Sequence, residues 1–214
     1  MAEAARDPDR KSYEQACPMA TALDFIGDRW TILILRELLG GPARFHELRD
    51  GLPGIATNLL TDRLRRLEAD GLARRTGAGG STLYTLTRRG AGIRPTLEEL
   101  GMWGARIGRV GPPTNERSIR AIAMALQSVL IRAGDALPEE RLTIELDVDG
   151  ESAEIILGRR PTVMVRPSLE PDARVRVTTA GINAVLMGQA TDGQVFTHVS
   201  GDEGSTKQLI AAVR

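Results

Sequence analysis

Between residues 57 and 71 the hydrophobic positions repeat at helical period. Leu60, Leu64 and Leu67 fall on one stripe, spaced by four and then three residues, the signature of an amphipathic helix. Thr57, Asn58, Thr61, Asp62 and Arg65 occupy the opposite side. The leucines suit docking on a core. The short hydrogen-bonding side chains and the arginine suit contact with something polar. A solvated surface helix carries the same pattern, so the neighbouring segments have to decide.

Upstream, Cys17-Pro18 opens a helix that continues from Met19 to Ile26 and is broken by Gly27-Asp28, proline being suited to a first helical turn. Trp30 to Leu39 is too apolar for a surface helix and is predicted to lie at the centre of its domain, ended by Gly40-Gly41-Pro42. A short helix follows over Arg44 to Leu52, with Phe45, Leu48 and Leu52 on one side. Pro53-Gly54 turns the chain, Ile55 plugs the angle, and the Leu60 helix begins near Ala56. Helix, glycine-bearing turn, helix is the helix-turn-helix pattern. Downstream, Leu72 to Thr76 and Thr82 to Leu86 flank Gly77-Ala78-Gly79-Gly80-Ser81, a hairpin placed where a wing belongs. Thr87 then caps a helix running from Arg88 to about Ile107, with a bend expected at Pro95.

The pattern changes after Gly108 to Asn115, whose Gly111-Pro112-Pro113 marks a domain boundary. Ser118 to Ala133 is a helix with Ile119, Ile122, Leu126 and Val129 on one stripe. Leu142 to Val148 alternates, Asp149-Gly150 is a hairpin turn, and Ala153, Ile155 and Leu157 alternate again. Val163 to Val165, Val175 to Val177 and Val195 to Val199 supply further strands, Ile182 to Met187 is helical, and Ser205 to Val213 closes the chain with a helix. The expected fold class is α+β in two domains: a mostly α winged helix-turn-helix with a β-hairpin, then an antiparallel sheet with helices on one face. The expected boundaries are a flexible arm at 1–14, the winged helix-turn-helix domain at 15–110, a linker at 111–116 and a second domain at 117–214.

Charge sharpens this division. The 214-residue chain has zero formal net charge, yet residues 1–111 hold 17 Arg/Lys against 14 Asp/Glu, and residues 112–214 hold 11 against 14. A mildly basic first half suits a polyanion partner. The single cysteine, Cys17, cannot form an internal disulfide, which suits a reducing cytoplasm. The expectation is a cytoplasmic protein without secretion signal or membrane span.

The ordered motifs Cys17-Pro18, Gly27-Asp28-Arg29-Trp30-Thr31, Leu35-Arg36-Glu37-Leu38, Arg44-Phe45-x-Glu47-Leu48, Pro53-Gly54-Ile55, Leu60-Thr61-x-Arg63-Leu64, Leu67-Glu68-x-Asp70-Gly71-Leu72 and Tyr84-x-Leu86-Thr87-x-x-Gly90 resemble the HxlR family of bacterial winged helix-turn-helix transcription regulators. The resemblance covers roughly residues 15–107. It implies a homodimer held by terminal helices on a pseudo-palindromic double-stranded operator. It also implies that Thr57, Asn58, Thr61, Asp62 and Arg65 face base edges. Asn58 suits adenine, Arg65 guanine or a phosphate, and Thr57 and Thr61 a thymine methyl. Asp62 either accepts from a cytosine amine or orients a neighbouring arginine. Arg44, His46, Arg74, Arg75, Ser81 and Thr82 suit phosphate contacts, which set register. Arg63 is expected to pack or pair on the helix flank.

Cys17 has two readings. One is a redox or electrophile sensor, favoured by a nearby helix N-terminus and known in part of this family. The other is a small buried residue near the dimer interface. Residues 117–213 resemble sterol-carrier-protein-like domains through Asp147-x-Asp149-Gly150, Ala173-x-Val175-x-Val177-Thr178-Thr179, Leu186-Met187-Gly188 and Val199-Ser200-Gly201-Asp202. That resemblance implies an apolar tunnel for a hydrophobic or lipid-like effector. Its candidate lining is Met124, Leu126, Leu130, Ile144, Leu146 and Ile155, continued by Val163, Val165, Leu186, Met187 and Phe196, residues that also suit ordinary core packing. No enzyme is expected: there is no phosphate loop or nucleophile motif, and His46 and His198 fall in different domains. No metal or other cofactor is expected. The functions that compete are a ligand-controlled regulator, a Cys17-controlled regulator and a lipid carrier.

Overall fold

The computed structural model describes residues 12–77, 82–107, 118–186 and 195–213. The remainder, including the expected 111–116 linker, Ser81 and Met187, lies outside the described residues. The chain divides into two compact units, one of Met1–Leu38 with Pro42–Ile93, the other of Leu39–Gly41 with Arg94–Arg214.

The helices of the first unit follow the hydrophobic pattern. They are α1 (Pro18–Ile26), α2 (Thr31–Leu39, whose last residue is grouped with the second unit), α3 (Phe45–Asp50) and α4 (Thr57–Ala69). Ile34 and Leu35 of α2, Leu48 of α3, and Leu60, Leu64 and Leu67 of α4 are each at most 1% exposed. These six side chains form the central packing of the unit, where each fully buried Leu or Ile contributes roughly 1.5–3 kcal/mol. The antiparallel wing pairs β1 (Ala73–Thr76) with β2 (Leu83–Leu86), Ala73 opposite Leu86 and Arg75 opposite Tyr84. A further bridge ties Ala43 to Tyr84, with Ala43 N donating to Tyr84 O at 2.9 Å and Tyr84 N to Ala43 O at 2.7 Å.

The expected single helix over 88–107 is two helices. α5 (Arg88–Ala91) ends at Gly92-Ile93, and α6 (Arg94–Arg106) begins before Pro95. Pro95 therefore starts a helix rather than bending one, since its missing N–H costs nothing in a first turn. Thr87 caps α5 as expected, its hydroxyl accepting from Gly90 N at 3.0 Å.

In the second unit, α6 and α7 (Ile119–Ala133) precede a five-stranded sheet of β3 (Leu142–Val148), β4 (Glu151–Leu157), β5 (Thr162–Met164), β6 (Ala173–Val177) and β7 (Thr197–Gly201). The strand order is β5-β4-β3-β6-β7. The expected antiparallel sheet is corrected to a mixed one, because β6 pairs parallel with β3, Leu146 opposite Val175. Alternation fixes which side chains point inward but is the same for either strand direction. The chain crosses over after β5 and adds β6 beside β3, and only that crossover sets the direction.

Helices α7, α8 (Thr179–Leu186) and α9 (Glu203–Ala212) supply Leu126, Leu130, Ile182 and Leu209 to one core with Ile144, Leu146, Ile155 and Val175. The other face of the sheet is polar, with Glu145 paired to Arg174 at 3.1 Å and Asp147 to Arg176 at 3.0 Å. Buried Gln127 of α7 holds the short edge strand β5. It donates to Pro161 O at 2.7 Å and accepts from Val163 N at 2.9 Å.

Candidate nucleic-acid interface

Helix α4 has two distinct sides. With Leu60, Leu64 and Leu67 fully buried, Thr57, Asn58 and Arg65 are exposed, and Thr61 and Asp62 are half-buried. Two polar side chains are partly occupied by the helix itself: Thr61 Oγ1 donates to Thr57 O at 2.9 Å, and Asn58 Oδ1 accepts from Leu59 N at 3.0 Å. Ala56 stands at the N-cap without a side-chain cap. The first-turn N–H groups and the dipole make this end attractive to a phosphate.

Asp62 sits against two arginines of its own helix. Its Oδ2 lies 2.6 Å from Arg63 Nη1 and 3.3 Å from Arg66 Nε, so it organises two arginines. Arg63 is 82% buried on the helix flank, where its Nε stands 3.0 Å from Asp28 Oδ1. That Nε has no hydrogen-bond acceptor, so the contact is one of charge rather than an aligned bond.

Asp28 is the residue that sequence reasoning passed over. Burial pushes its carboxyl up, but donors from Thr31 Oγ1, Trp30 N and Thr31 N, with the Arg63 charge, outweigh burial and hold it below the ordinary aspartate range. The Trp30 and Thr31 amides reach Asp28 Oδ1 at 3.0 and 3.1 Å. Asp28 thereby fixes the start of α2 and links it to α4. Its signal was present in Gly27-Asp28-Arg29-Trp30-Thr31, where an aspartate stands just ahead of an apolar helical run and can accept from the first backbone N–H groups.

The expected phosphate contacts separate. Arg44, His46 and Arg74 are exposed, and Thr82 is half-buried. Arg44 N donates to Glu47 Oε2 at 2.7 Å, which secures the start of α3. Arg75 pairs with Glu68 of α4 at 2.8 Å, so its charge is shared with a carboxylate. Ser81 and the glycine-rich tip lie outside the described residues. Cys17 is exposed in the single chain and occupies the N-cap of α1.

In the second unit, seven of the ten described candidate lining residues lie in the packed interior. Leu126, Leu130, Ile144 and Ile155 are 0% exposed, Leu146 and Val163 1%, and Phe196 5%. Met124, Val165 and Leu186 are half-buried.

Residues 25–110 match the HxlR-like helix-turn-helix family. Over 96 residues the chain is 33% identical to the HTH-type transcriptional regulator YvaP of Bacillus subtilis, a match covering 43% of this chain and 89% of that protein. The chain belongs to the HxlR-like family. An HTH-type transcriptional regulator of Synechocystis sp. is 42% identical over 84 residues, which cover 38% of this chain and 62% of the relative's length. Among solved structures, the quinone-bound YodB from Bacillus subtilis is 33% identical, with 42% of this chain and 99% of that chain covered and a TM-score of 0.38. In this HxlR-like chain, α3, the Pro53-Gly54 turn and α4 form the helix-turn-helix, and β1 and β2 form the wing. Among the described residues, no helix is long and apolar enough to cross a membrane.

Proposed function

We propose that this HxlR-like chain is a cytoplasmic transcription regulator that binds a pseudo-palindromic operator as a homodimer, one α4 entering the major groove of each half-site. The observation that carries this reading is the division of α4: three leucines buried to 1% or less, with Thr57, Asn58 and Arg65 left exposed. Thr57, Asn58, Thr61 and Arg65 read base edges, while Arg44, His46 and Arg74 hold phosphates. Asp62 serves as an organiser of Arg63 and Arg66.

Dimerisation is supported by α6 and the residue just after it. Leu100, Trp103 and Ile107 are 42%, 61% and 49% exposed and are spaced to share one helical side, an apolar stripe suited to self-association. The second unit, which resembles sterol-carrier-like domains, is proposed to hold a hydrophobic small molecule and through it to alter DNA affinity. Its support is an apolar interior between the sheet and α7, α8 and α9.

DNase footprinting upstream of the protein's own gene tests the regulator. Sequence-selective protection over two half-sites is expected, and its absence contradicts the reading. A second reading makes Cys17 the sensor, favoured by its exposure at a helix N-cap. Cys17→Ser distinguishes the two, because an unchanged effector response in the variant removes the redox version.

A further inference from the structure

In the second unit, Ile131, the connection after α7 and the connection from β4 to β5 line a cavity of about 730 Å³. Gly134, at φ +50°, ends α7, and a tight turn over Gly134–Ala136 follows, closed by Leu137 N donating to Gly134 O at 3.1 Å. The other connection is held to the same helix, because Gln127 donates to Pro161 O at 2.7 Å. The apolar wall is Ile131, Leu137, Pro138 and Pro161. Leu137 and Pro161 are buried, whereas Ile131 is 45% exposed and gains cover from an occupant.

Four charged side chains complete the lining. Arg159 and Glu139 stand 3.1 Å apart and neutralise each other. Asp135 and Arg160 are exposed and have no hydrogen-bond or ion-pair partner among the described residues. One carboxylate and one guanidinium are thus open to a ligand. Asp135 follows the C-terminal end of α7, where the helix dipole adds to the attraction for a cation.

We propose that this cavity binds an apolar zwitterion of dipeptide size, its ammonium on Asp135, its carboxylate on Arg160 and its apolar body on Ile131, Leu137 and the two prolines. A single amino acid carries both charges on one carbon, whereas Asp135 and Arg160 come from separate connections, and the volume lies in the range of larger ligands. The site shares no residue with the interior proposed to hold a hydrophobic molecule and does not depend on that reading. Apolar contact supplies most of the affinity. The two exposed ion pairs supply selectivity, up to about fivefold each in Kd.

The test is calorimetric titration of the full chain at low salt with three peptides: leucyl-leucine, N-acetyl-leucyl-leucine, which lacks the ammonium, and leucyl-leucinamide, which lacks the carboxylate. Saturable binding of leucyl-leucine is expected, with each blocked peptide about two- to fivefold weaker. In Asp135→Asn, leucyl-leucine and its N-acetyl form should bind alike. In Arg160→Gln, leucyl-leucine and its amide should bind alike. Each variant should keep the other discrimination and, the side chains being exposed, the wild-type melting temperature. Equal binding of the three peptides to the wild type, unchanged discrimination in both variants, or no saturable binding overturns the site. Tighter binding of N-acetyl-leucyl-leucinamide, blocked at both ends, overturns the zwitterion and marks the cavity as a groove for a segment of a partner protein.

Discussion

The two sides of α4 make opposite demands on neighbouring residues, which a pair of substitutions separates. Leu64 is 1% exposed in the packed centre of the first unit, whereas Arg65 is exposed. Leu64→Ala removes three buried carbons and leaves a hole that the tightly packed surroundings only partly close, at a cost of about 2–5 kcal/mol. For a unit of this size each kcal/mol lowers the melting temperature by roughly 4–8 °C. A loss on the order of 10 °C or more is therefore expected.

Arg65→Ala removes an exposed side chain and should leave the melting temperature almost unchanged, within about 0.5 kcal/mol. On the operator it should cost about 1–3 kcal/mol, a factor of roughly 5–150 in Kd. Calorimetric unfolding together with fluorescence anisotropy on the footprinted operator measures both quantities. If Arg65 reads a base, the variant loses discrimination at one position. If it binds a phosphate, the loss is uniform across sequences and the salt slope falls by about 1. A large stability loss in Arg65→Ala, or unchanged operator affinity, refutes the assignment of the two sides.

Three further substitutions test the supporting structure. Because Asp28 has a lowered pKa in the folded state, its stabilisation is complete above the unfolded value and is lost as pH falls through the lower folded value. Asp28→Asn should cost about 1 kcal/mol at pH 7, with the difference from wild type vanishing in acid, as urea melts at several pH values will show. Glu98 of α6 is shifted the other way, burial pushing it up more than Arg94 and Arg132 pull it down. Stability linked to it is complete below the ordinary glutamate range and is lost as pH rises through the raised folded value. Glu98→Gln should therefore raise the melting temperature at pH 7.5 and bring no gain at pH 4. At Gly90 an added Cβ would stand 1.9 Å from Leu72 O, a backbone atom. Gly90→Ala should cost about 1–3 kcal/mol through overpacking beside the wing, measurable by denaturant unfolding.

Local pattern carried much of the first unit. The Leu60, Leu64 and Leu67 stripe, the Pro53-Gly54 turn and the capping by Thr87 act within a few residues of each other, so their order along the chain fixed α3, α4 and the start of α5. The Asp149-Gly150 hairpin was legible for the same reason: both residues adopt the positive φ that its turn requires, +51° and +92°. The break at Gly92-Ile93 was less legible, because a proline signals disruption without saying whether it lies inside a helix or at its start.

Only the tertiary structure decided the rest. The parallel pairing of β6 with β3 depends on where the chain goes between strands, which alternation does not encode. The union of Asp28 with Arg63 joins positions 35 residues apart in sequence. Arg75 met Glu68, and buried Gln127 met β5, through three-dimensional packing alone. Sequence determined which face each helix and strand would bury, since hydrophobic period is a local property of the chain. Which polar groups meet, and which charges are thereby shared, depends on contacts between distant segments. Those contacts exist only once the apolar faces have closed.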